Sequence, residues 1–267
     1  MMFERIGFIG TGSMGSAVAR AVYKSGLAKE LWLANRTPAK AEKLAEELTG
    51  ARVCTNREVV EHCDLIFLGV KPQLMEAVLA DLKDALLKSQ ERKVLASMAA
   101  GLSCSRLSAM VGTTTTWIRM MPNTPAALGE GVVQYCGLWA SQEDLDDFAR
   151  LIAPAGMVDR VEEKLMDAAS CVSGCGPAFA YLFMEALADG GVACGLPRDK
   201  AVEYAAMMLK GSAAMVLESG QHPGQLKDQV CSPGGTTVQG VRALEKGGFR
   251  SAVMEAVIAA YEKTLEL

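Results

Sequence analysis

Two short glycine-containing segments are the strongest candidates in this sequence for ligand binding and catalysis. The first, Gly10-Thr11-Gly12-Ser13-Met14-Gly15, follows the apolar run Arg5–Gly10 and precedes a run with helical periodicity. In such a strand–turn–helix setting the first glycine permits the tight turn, the second lets a pyrophosphate approach the backbone, and the third lets the helix pack on the sheet. Free N–H groups at the helix start then bind the pyrophosphate. The segment predicts a dinucleotide site, and the alternative is an ordinary glycine turn of an α/β protein.

The residues about 20 positions further on indicate which dinucleotide is bound. An acidic residue at the end of the second strand is typical of NAD(H) sites, because it meets the free ribose 2′-hydroxyl. Here the predicted strand Glu30–Ala34 is followed by Asn35-Arg36-Thr37, which has no acid and offers a guanidinium for a phosphate. We therefore predict NADP(H) as the preferred cofactor. Under the alternative, Arg36 is a solvated loop charge and NAD(H) is used as well.

The second segment is Ser232-Pro233-Gly234-Gly235-Thr236-Thr237, a turn that opens onto a predicted helix. N–H groups at such a helix start form an anion site without a cationic side chain. From the residues alone, Thr236 and Thr237 either hydrogen-bond a substrate or cap the helix, and both interpretations stay open.

Other familiar catalytic sets are missing from the sequence. Its two histidines, His62 and His222, are far apart, and His222 stands at a predicted helix start, where capping is favoured over a general-acid role. The eight cysteines form no C-x-x-C pair, so we expect reduced thiols and no metal site. Cys171 and Cys175, spaced four apart, lack further ligands nearby.

Apolar patterning describes the elements that must position these segments. In the first part of the chain, continuous apolar runs indicate strands covered on both faces, and they alternate with amphipathic helical stretches. This alternation predicts a doubly wound parallel sheet of the Rossmann type. The predicted strands are Arg5–Gly10, Glu30–Ala34, Arg52–Thr55, Asp64–Val70, Lys93–Ala99, Thr115–Met120 and Val132–Tyr135, and the predicted helices are Ser13–Ser25, Pro38–Leu48, Leu74–Leu87 and Glu143–Ile152.

After Val161 the strand signals stop, and an all-α domain is predicted. We therefore expect a dinucleotide-binding domain over residues 1–161 and a helical domain over residues 162–267. Within the latter, Arg198–Ser219 is so rich in Ala and Met that apolar residues cover more than one face. This favours a homodimer through the helical domain, and the alternative is a central helix within one subunit. The other predicted helices here are Glu162–Ser173, Ala178–Ala193, Gly224–Val230, Thr237–Lys246 and Phe249–Leu265.

Composition excludes several classes of protein. The chain has 267 residues, of which 50% are hydrophobic, and a net charge of only −4, so disorder is excluded. No basic field suits nucleic acid or an anionic membrane. The N-terminus shows no secretory signal, and the longest uncharged run is 17 residues, Ala168–Met184, with glycine and proline inside it. We expect a cytoplasmic protein that binds no nucleic acid and no membrane.

Several segments together make the chain resemble the pyrroline-5-carboxylate reductase family. The Ser232–Thr237 turn is diagnostic, and the resemblance extends over the whole chain. Two departures are visible, since Cys175 stands where Ser is expected and Gly15 where the family often has Ala. The segments that carry the resemblance are Gly7–Gly15, Val70–Pro72, Ala99–Gly101, Arg119–Pro125, Ser173–Ala178, His222–Lys227 and Val230–Gly240.

The resemblance implies the last step of proline biosynthesis, in which NAD(P)H reduces 1-pyrroline-5-carboxylate to L-proline. It implies a Rossmann domain, a helical dimerisation domain and often a ring of dimers. It places the substrate carboxylate at Gly234, Gly235 and Thr236, with Ser232 in the same turn, and it places Thr237 by the ring nitrogen as the catalytic residue. The cofactor residues that it implies are Ile9, Gly10, Thr11, Gly12, Ser13, Met14, Asn35, Arg36, Thr37, Asn56, Gly69, Val70, Lys71, Pro72, Met98, Ala99 and Ala100.

The residue chemistry agrees with imine reduction. A protonated cyclic imine is already electrophilic, so the enzyme needs near-attack geometry more than a strong acid. An alcohol dehydrogenase usually shows a base or a metal, and the rival β-hydroxyacid dehydrogenases rely on a lysine that Ser173–Ala178 lacks. A noncatalytic NADP sensor on the same fold is the other alternative. For Lys71 we expect contact through the backbone and leave the side chain's role open.

Overall fold

In the computed structural model, which describes residues 3–112 and 115–266, the first half of the chain alternates strands and helices. The helices that flank the strands are Ser13–Ser25 (α1), Pro38–Glu47 (α2), Asn56–His62 (α3), Pro72–Lys88 (α4), Cys104–Val111 (α5) and Gln142–Ile152 (α6). The strands are Arg5–Ile9 (β1), Glu30–Ala34 (β2), Arg52–Val53 (β3), Leu65–Leu68 (β4), Val94–Ser97 (β5), Thr116–Pro122 (β6), Gly131–Leu138 (β7) and Gly156–Arg160 (β8).

Across the described residues, these eight strands form one sheet in the order β3-β2-β1-β4-β5-β6-β7-β8. All neighbours are parallel except β6 and β7, which are antiparallel. Strand order reverses beside β1, so the ends of β1 and β4 open onto a crevice where ligands of such sheets bind. The predicted doubly wound α/β fold is therefore confirmed.

The sheet is covered on both faces, as its apolar runs predicted. Phe8 and Phe67 stack at 4.7 Å between ring centroids on the face that holds α1, α2 and α6. Ile66 and Leu68 point to the opposite face, against α3, α4 and α5. Each such fully buried side chain stabilises the fold by about 1.5–3 kcal/mol relative to an exposed one.

Two helices and one strand of this domain were not predicted from the sequence. Helix α3 has only seven residues, too few for a periodic pattern, and it begins with a capping box between Thr55 and Glu58. Helix α5 has eight residues and is capped by Ser103. Strand β8 lies at the sheet edge and is partly exposed, so it lacks the apolar run of a central strand.

Helices make up the rest of the described chain. A short 3₁₀ turn over Glu163–Leu165 leads into Met166–Ser173 (α7). The remaining helices are Gly176–Ala193 (α8), Arg198–Ser219 (α9), Pro223–Gln229 (α10), Thr236–Lys246 (α11) and Phe249–Leu265 (α12). By packing, the chain divides into one unit of Met1–Gly174 with Tyr261–Leu267 and a second unit of Cys175–Ala260. The functional boundary after Val161 stays a prediction.

The second unit exposes much of its apolar surface. In α9, Ala201 and Ala205 are buried, whereas Met207 is 70% and Leu217 78% exposed. Large exposed apolar surfaces of this kind are typical of protein–protein interfaces.

Among the described residues, one segment, Glu163–Ala193, is long and apolar enough by length and composition alone to cross a membrane, and an 18-residue window within it has a mean hydropathy of 1.3. It consists of two helices, because α7 ends at Ser173 and α8 begins at Gly176. Its exposed apolar side chains are equally those expected of a helix that packs against another subunit.

Candidate functional site

The glycine-rich loop leaves β1 at the switch point of the sheet. Gly10 has φ of +98°, a conformation that favours glycine, and its N–H donates to the Ala34 carbonyl at 2.8 Å. A Cβ on Gly15 would lie 2.0 Å from the Gly10 carbonyl oxygen, so the start of α1 packs directly on the loop. The alanine that the family often has at this position would therefore force this backbone to move.

The start of α1 is open to a ligand. Gly12 is the N-cap residue, so no side chain caps the first-turn N–H groups, and nothing lies within 4 Å of where its Cβ would be. The Thr11 N–H donates to Asn35 Oδ1 at 3.0 Å, while the buried Thr11 hydroxyl has no hydrogen-bond partner. Free N–H groups at a helix start and an unpaired buried hydroxyl fit a bound phosphate group.

Two cavities flank this loop. One, of about 320 Å³, is lined by Thr11, Gly12 and Ser13 together with Lys40 and Lys43 of α2. Both lysines add positive charge beside the helix start.

The other cavity, of about 500 Å³, lies beyond the end of β2. It is lined by Asn35, Arg36 and Asn56, the last being the first residue of α3. No ion pair of Arg36 occurs within residues 3–112 and 115–266, and the first turn of α2 has no acid. The cavity has the cation that a 2′-phosphate needs, although Asp81 also lines it.

The other predicted cofactor residues follow β4 and β5 at the same edge of the sheet. The Gly69 N–H donates to the Ile9 carbonyl at 2.8 Å, and the Met98 N–H donates to the Leu68 carbonyl at 3.3 Å. Pro72 begins α4, and Lys71 is its exposed N-cap residue. Parallel strands bring the predicted cofactor segments together because their carboxyl ends share one edge. The contacts of individual residues with a cofactor stay a prediction.

The Ser232–Thr237 turn belongs to the second unit. Gly234 has φ of +69°, and the Gly235 N–H donates to the Ser232 carbonyl at 3.0 Å. Helix α11 begins at Thr236, with Gly235 as an N-cap that makes no side-chain bond. Thr236 and Thr237 are exposed and lie inside the first turn, so neither is the N-cap that capping would require. The turn offers free N–H groups and two hydroxyls to an anionic ligand.

Both histidines have structural roles. His222 caps α10, because its Nδ1 accepts the Gly224 N–H at 3.0 Å and Gln225 accepts the His222 N–H at 3.2 Å. His62 stacks on Trp32, with ring centroids 4.7 Å apart. The predicted capping role of His222 is confirmed.

Asn123, for which the sequence predicted no role, lies buried just after β6. Its Nδ2 donates to the Ser173 carbonyl at 2.9 Å, and its Oδ1 accepts the Val132 N–H at 2.9 Å. Gln134 donates to the Ser173 hydroxyl at 2.8 Å. These buried bonds join the end of β6, β7 and the end of α7. The signal available in the sequence was Gln134, a polar residue placed among the apolar residues of a strand.

Comparisons with known proteins agree with this geometry. The profile described as "Pyrroline-5-carboxylate reductase dimerisation" matches residues 163–267, and one described as "NADP oxidoreductase coenzyme F420-dependent" matches residues 5–101. The pyrroline-5-carboxylate reductase of Glycine max is 43% identical over 98% of this chain and 95% of its own length. That of Escherichia coli is 38% identical over 100% of this chain and 99% of its own length.

A solved structure extends the likeness to the fold. The pyrroline carboxylate reductase of Plasmodium falciparum, crystallised with NADP bound, superposes with a TM-score of 0.87 at 36% identity, over 100% of this chain and 98% of that one. Sequence and fold thus agree over the whole length, including both glycine segments. This chain belongs to the pyrroline-5-carboxylate reductase family.

Proposed function

We propose that this protein reduces the C=N bond of 1-pyrroline-5-carboxylate to give L-proline, with NADPH as the preferred reductant and NADH as the alternative. The observation that carries the proposal is the uncapped start of α11, where the Ser232–Thr237 turn offers N–H groups to a carboxylate. Family membership and the dinucleotide-type loop at β1 support the same reaction.

The residues of the first unit fit a dinucleotide. The open space at Gly12, the uncapped start of α1 and the unpaired Thr11 hydroxyl suit the pyrophosphate, and Arg36 suits a 2′-phosphate. The bound dinucleotide supplies the hydride that reduces the imine carbon. This chain's own part is to hold the dinucleotide through Gly10–Met14, Asn35–Thr37, Asn56, Gly69–Pro72 and Met98–Ala100.

The residues of the second unit hold the substrate. Its carboxylate lies at Gly234, Gly235 and Thr236, where the N–H groups of Gly234 and Thr236 bind it and the Gly235 N–H stays bonded to the Ser232 carbonyl. The Thr237 hydroxyl hydrogen-bonds the ring nitrogen and orients it. As hydride reaches the imine carbon, the C=N π electrons become the nitrogen lone pair, and the nitrogen keeps the proton that it took from water. No histidine is needed, because orientation alone contributes about 7–11 kcal/mol to such reactions.

Assembly and location complete the proposal. The match of residues 163–267 to a dimerisation family makes the helical domain a homo-oligomerisation domain. We propose that its exposed apolar surface forms a homodimer and that dimers assemble into a ring. We also propose that the boundary between the dinucleotide-binding domain and the helical domain falls after Val161. We further propose that the protein works in the cytoplasm, without nucleic acid or membrane.

One assay separates this reaction from its rivals. Purified protein is given NADPH with pyrroline-5-carboxylate and, separately, a β-hydroxyacid with NADP⁺ or NAD⁺, and reduced cofactor is followed by absorbance. The proposal expects turnover with the imine alone. Turnover with the hydroxyacid would favour a β-hydroxyacid dehydrogenase, and cofactor binding without any turnover would favour a sensor.

A further inference from the structure

Three potential metal ligands meet inside the first unit, and none of them is among the residues proposed to hold cofactor or substrate. Cys104 is the first residue of α5, Cys136 lies in β7, and Glu163 begins the 3₁₀ turn before α7. Their sulfur and carboxylate oxygen atoms all lie within 4.8 Å of one another. Within the described ranges no other such group of three Cys, His, Asp or Glu side chains is found.

The spacing suits a single ion. Zinc binds sulfur at about 2.3 Å and carboxylate oxygen at about 2.0–2.2 Å, so two of its ligands are at most about 4.6 Å apart. Tetrahedral geometry requires ligands about 3.5–3.8 Å apart, which these side chains reach by moving about 1 Å. Cys104 and Cys136 are only 1% and 6% exposed, whereas the Glu163 side chain is 38% exposed and leaves a path for an ion and a water ligand.

A hydrogen bond already joins two of the three ligand residues. Glu163 Oε1 accepts the backbone N–H of Cys104 at 2.6 Å. Arg119 lies opposite Cys136 in the β6–β7 register and 3.9 Å from Glu163 Oε1. Its buried Nε–H has no hydrogen-bond partner, so it is available to an added sulfur anion or metal-bound water.

The charges around the cluster favour exchange of two protons for a divalent cation. Arg119 is paired with Asp167, so their charges cancel. With both thiols protonated, these two residues and the three ligands together carry one negative charge, that of Glu163. Binding forms two metal–sulfur bonds and releases two thiol protons to solvent. The net charge of the buried group is therefore the same before and after binding, which avoids the cost of burying extra charge.

We propose that Cys104, Cys136 and Glu163 form a structural site for a thiophilic divalent cation of the zinc type. An ion there ties α5, β7 and the start of α7 together. Cys104 follows Ala100 by four residues, so the ion also steadies the segment after β5. Cysteine spacing led us to expect no metal site, and spacing could not reveal this group because its members are distant in sequence.

The test uses full-length, fully reduced, metal-free protein titrated with Co²⁺ and then with Zn²⁺. We expect one Co²⁺ per chain, with a thiolate-to-cobalt charge-transfer band that one equivalent of Zn²⁺ abolishes. Cys104→Ser and Cys136→Ser should each weaken binding at least tenfold and remove intensity from the band. Cys63→Ser is the matched control, because Cys63 is equally buried but outside the cluster, and it should bind as the wild type does.

Two further measurements keep the test decisive. Glu163→Gln keeps both thiols and should weaken Zn²⁺ binding while leaving the charge-transfer band, so it reports on the site even if a serine variant fails to fold. Zn²⁺ should raise the melting temperature of the wild type and not that of Cys136→Ser. A wild-type protein that shows no charge-transfer band, or binding that both cysteine variants retain, would overturn the proposal.

Discussion

Gly12 and Gly15 are three residues apart in one loop, yet the structure predicts opposite responses to alanine. Gly12 has φ of −72° and open space around it, so Gly12→Ala meets no atom of the protein. Its effect on the free energy of unfolding should stay within about 0.5 kcal/mol, because a weaker N-cap is offset by a less flexible unfolded chain. The added methyl instead fills the space through which the pyrophosphate approaches.

The two substitutions therefore separate binding from folding. We expect Gly12→Ala to weaken NADPH binding about 10–100-fold, equivalent to about 1.4–2.8 kcal/mol. In Gly15→Ala the new methyl would lie 2.0 Å from the Gly10 carbonyl oxygen, so the loop must move by about 1 Å or more. Overpacking of this kind costs about 1–3 kcal/mol.

Thermal melting and fluorescence titration with NADPH measure the two effects on the same samples. A loss of 1–3 kcal/mol corresponds to a decrease in melting temperature of about 3–10 °C for a domain of this size, which we expect for Gly15→Ala and not for Gly12→Ala. Gly26→Ala, at a glycine that closes the far end of α1 with φ of +66°, should lower the melting temperature without weakening NADPH binding, and it controls for glycine loss away from the site. If Gly12→Ala binds NADPH as the wild type does, or melts as early as Gly15→Ala, the reasoning about this loop is refuted.

Three other predictions test the site and the sheet. Arg36→Gln should raise the Kd for NADPH about 10–100-fold and leave the Kd for NADH nearly unchanged, since a charge-assisted hydrogen bond contributes about 1.5–3 kcal/mol. An equal rise in Kd for both cofactors would contradict the 2′-phosphate role. Thr237→Ala should lower kcat about 10–100-fold without changing the melting temperature, whereas Thr237→Ser should restore most of the activity; full activity in the alanine variant would show that the hydroxyl is not needed. Asp144→Ala should lower the free energy of unfolding by about 2–4 kcal/mol, because the buried carboxylate takes part in the capping box of α6 and pairs with Arg92 at 2.5 Å. The control Asp146→Ala, at an exposed residue of the same helix, should change the free energy of unfolding little. Burial raises the pKa of Asp144, but hydrogen bonds from Arg92 and Ser141 together hold it below its ordinary range. The stabilisation that the Asp144 carboxylate gives to the fold is therefore complete above the ordinary aspartate pKa and is lost as the pH falls through the lowered value. Denaturant unfolding at a series of falling pH values should show that the difference in free energy of unfolding between wild type and Asp144→Ala becomes smaller.

Much of the fold was readable from local patterns. The strand runs, the glycine loop and the proline that begins α2 depend on residues close together in the sequence, and the structure has these elements with boundaries that differ by a few residues. The His222 cap is equally local, because an N-cap bonds the backbone two or three residues ahead. The Ser232–Thr237 turn was found in the same way, although the structure makes Gly235, and neither threonine, the N-cap residue of α11.

Tertiary structure decided the features that depend on distant partners. Strand β8 has little apolar pattern of its own and forms because β7 supplies its hydrogen bonds. Arg119 is tolerated inside β6 because Asp167, 48 residues away, supplies its counter-charge. Local sequence specifies where the backbone can turn and where a helix start is left uncapped, since those properties belong to single residues and their neighbours. Only the folded chain decided that Cys104, Cys136 and Glu163 meet, because sheet order and register set which distant side chains share one buried space.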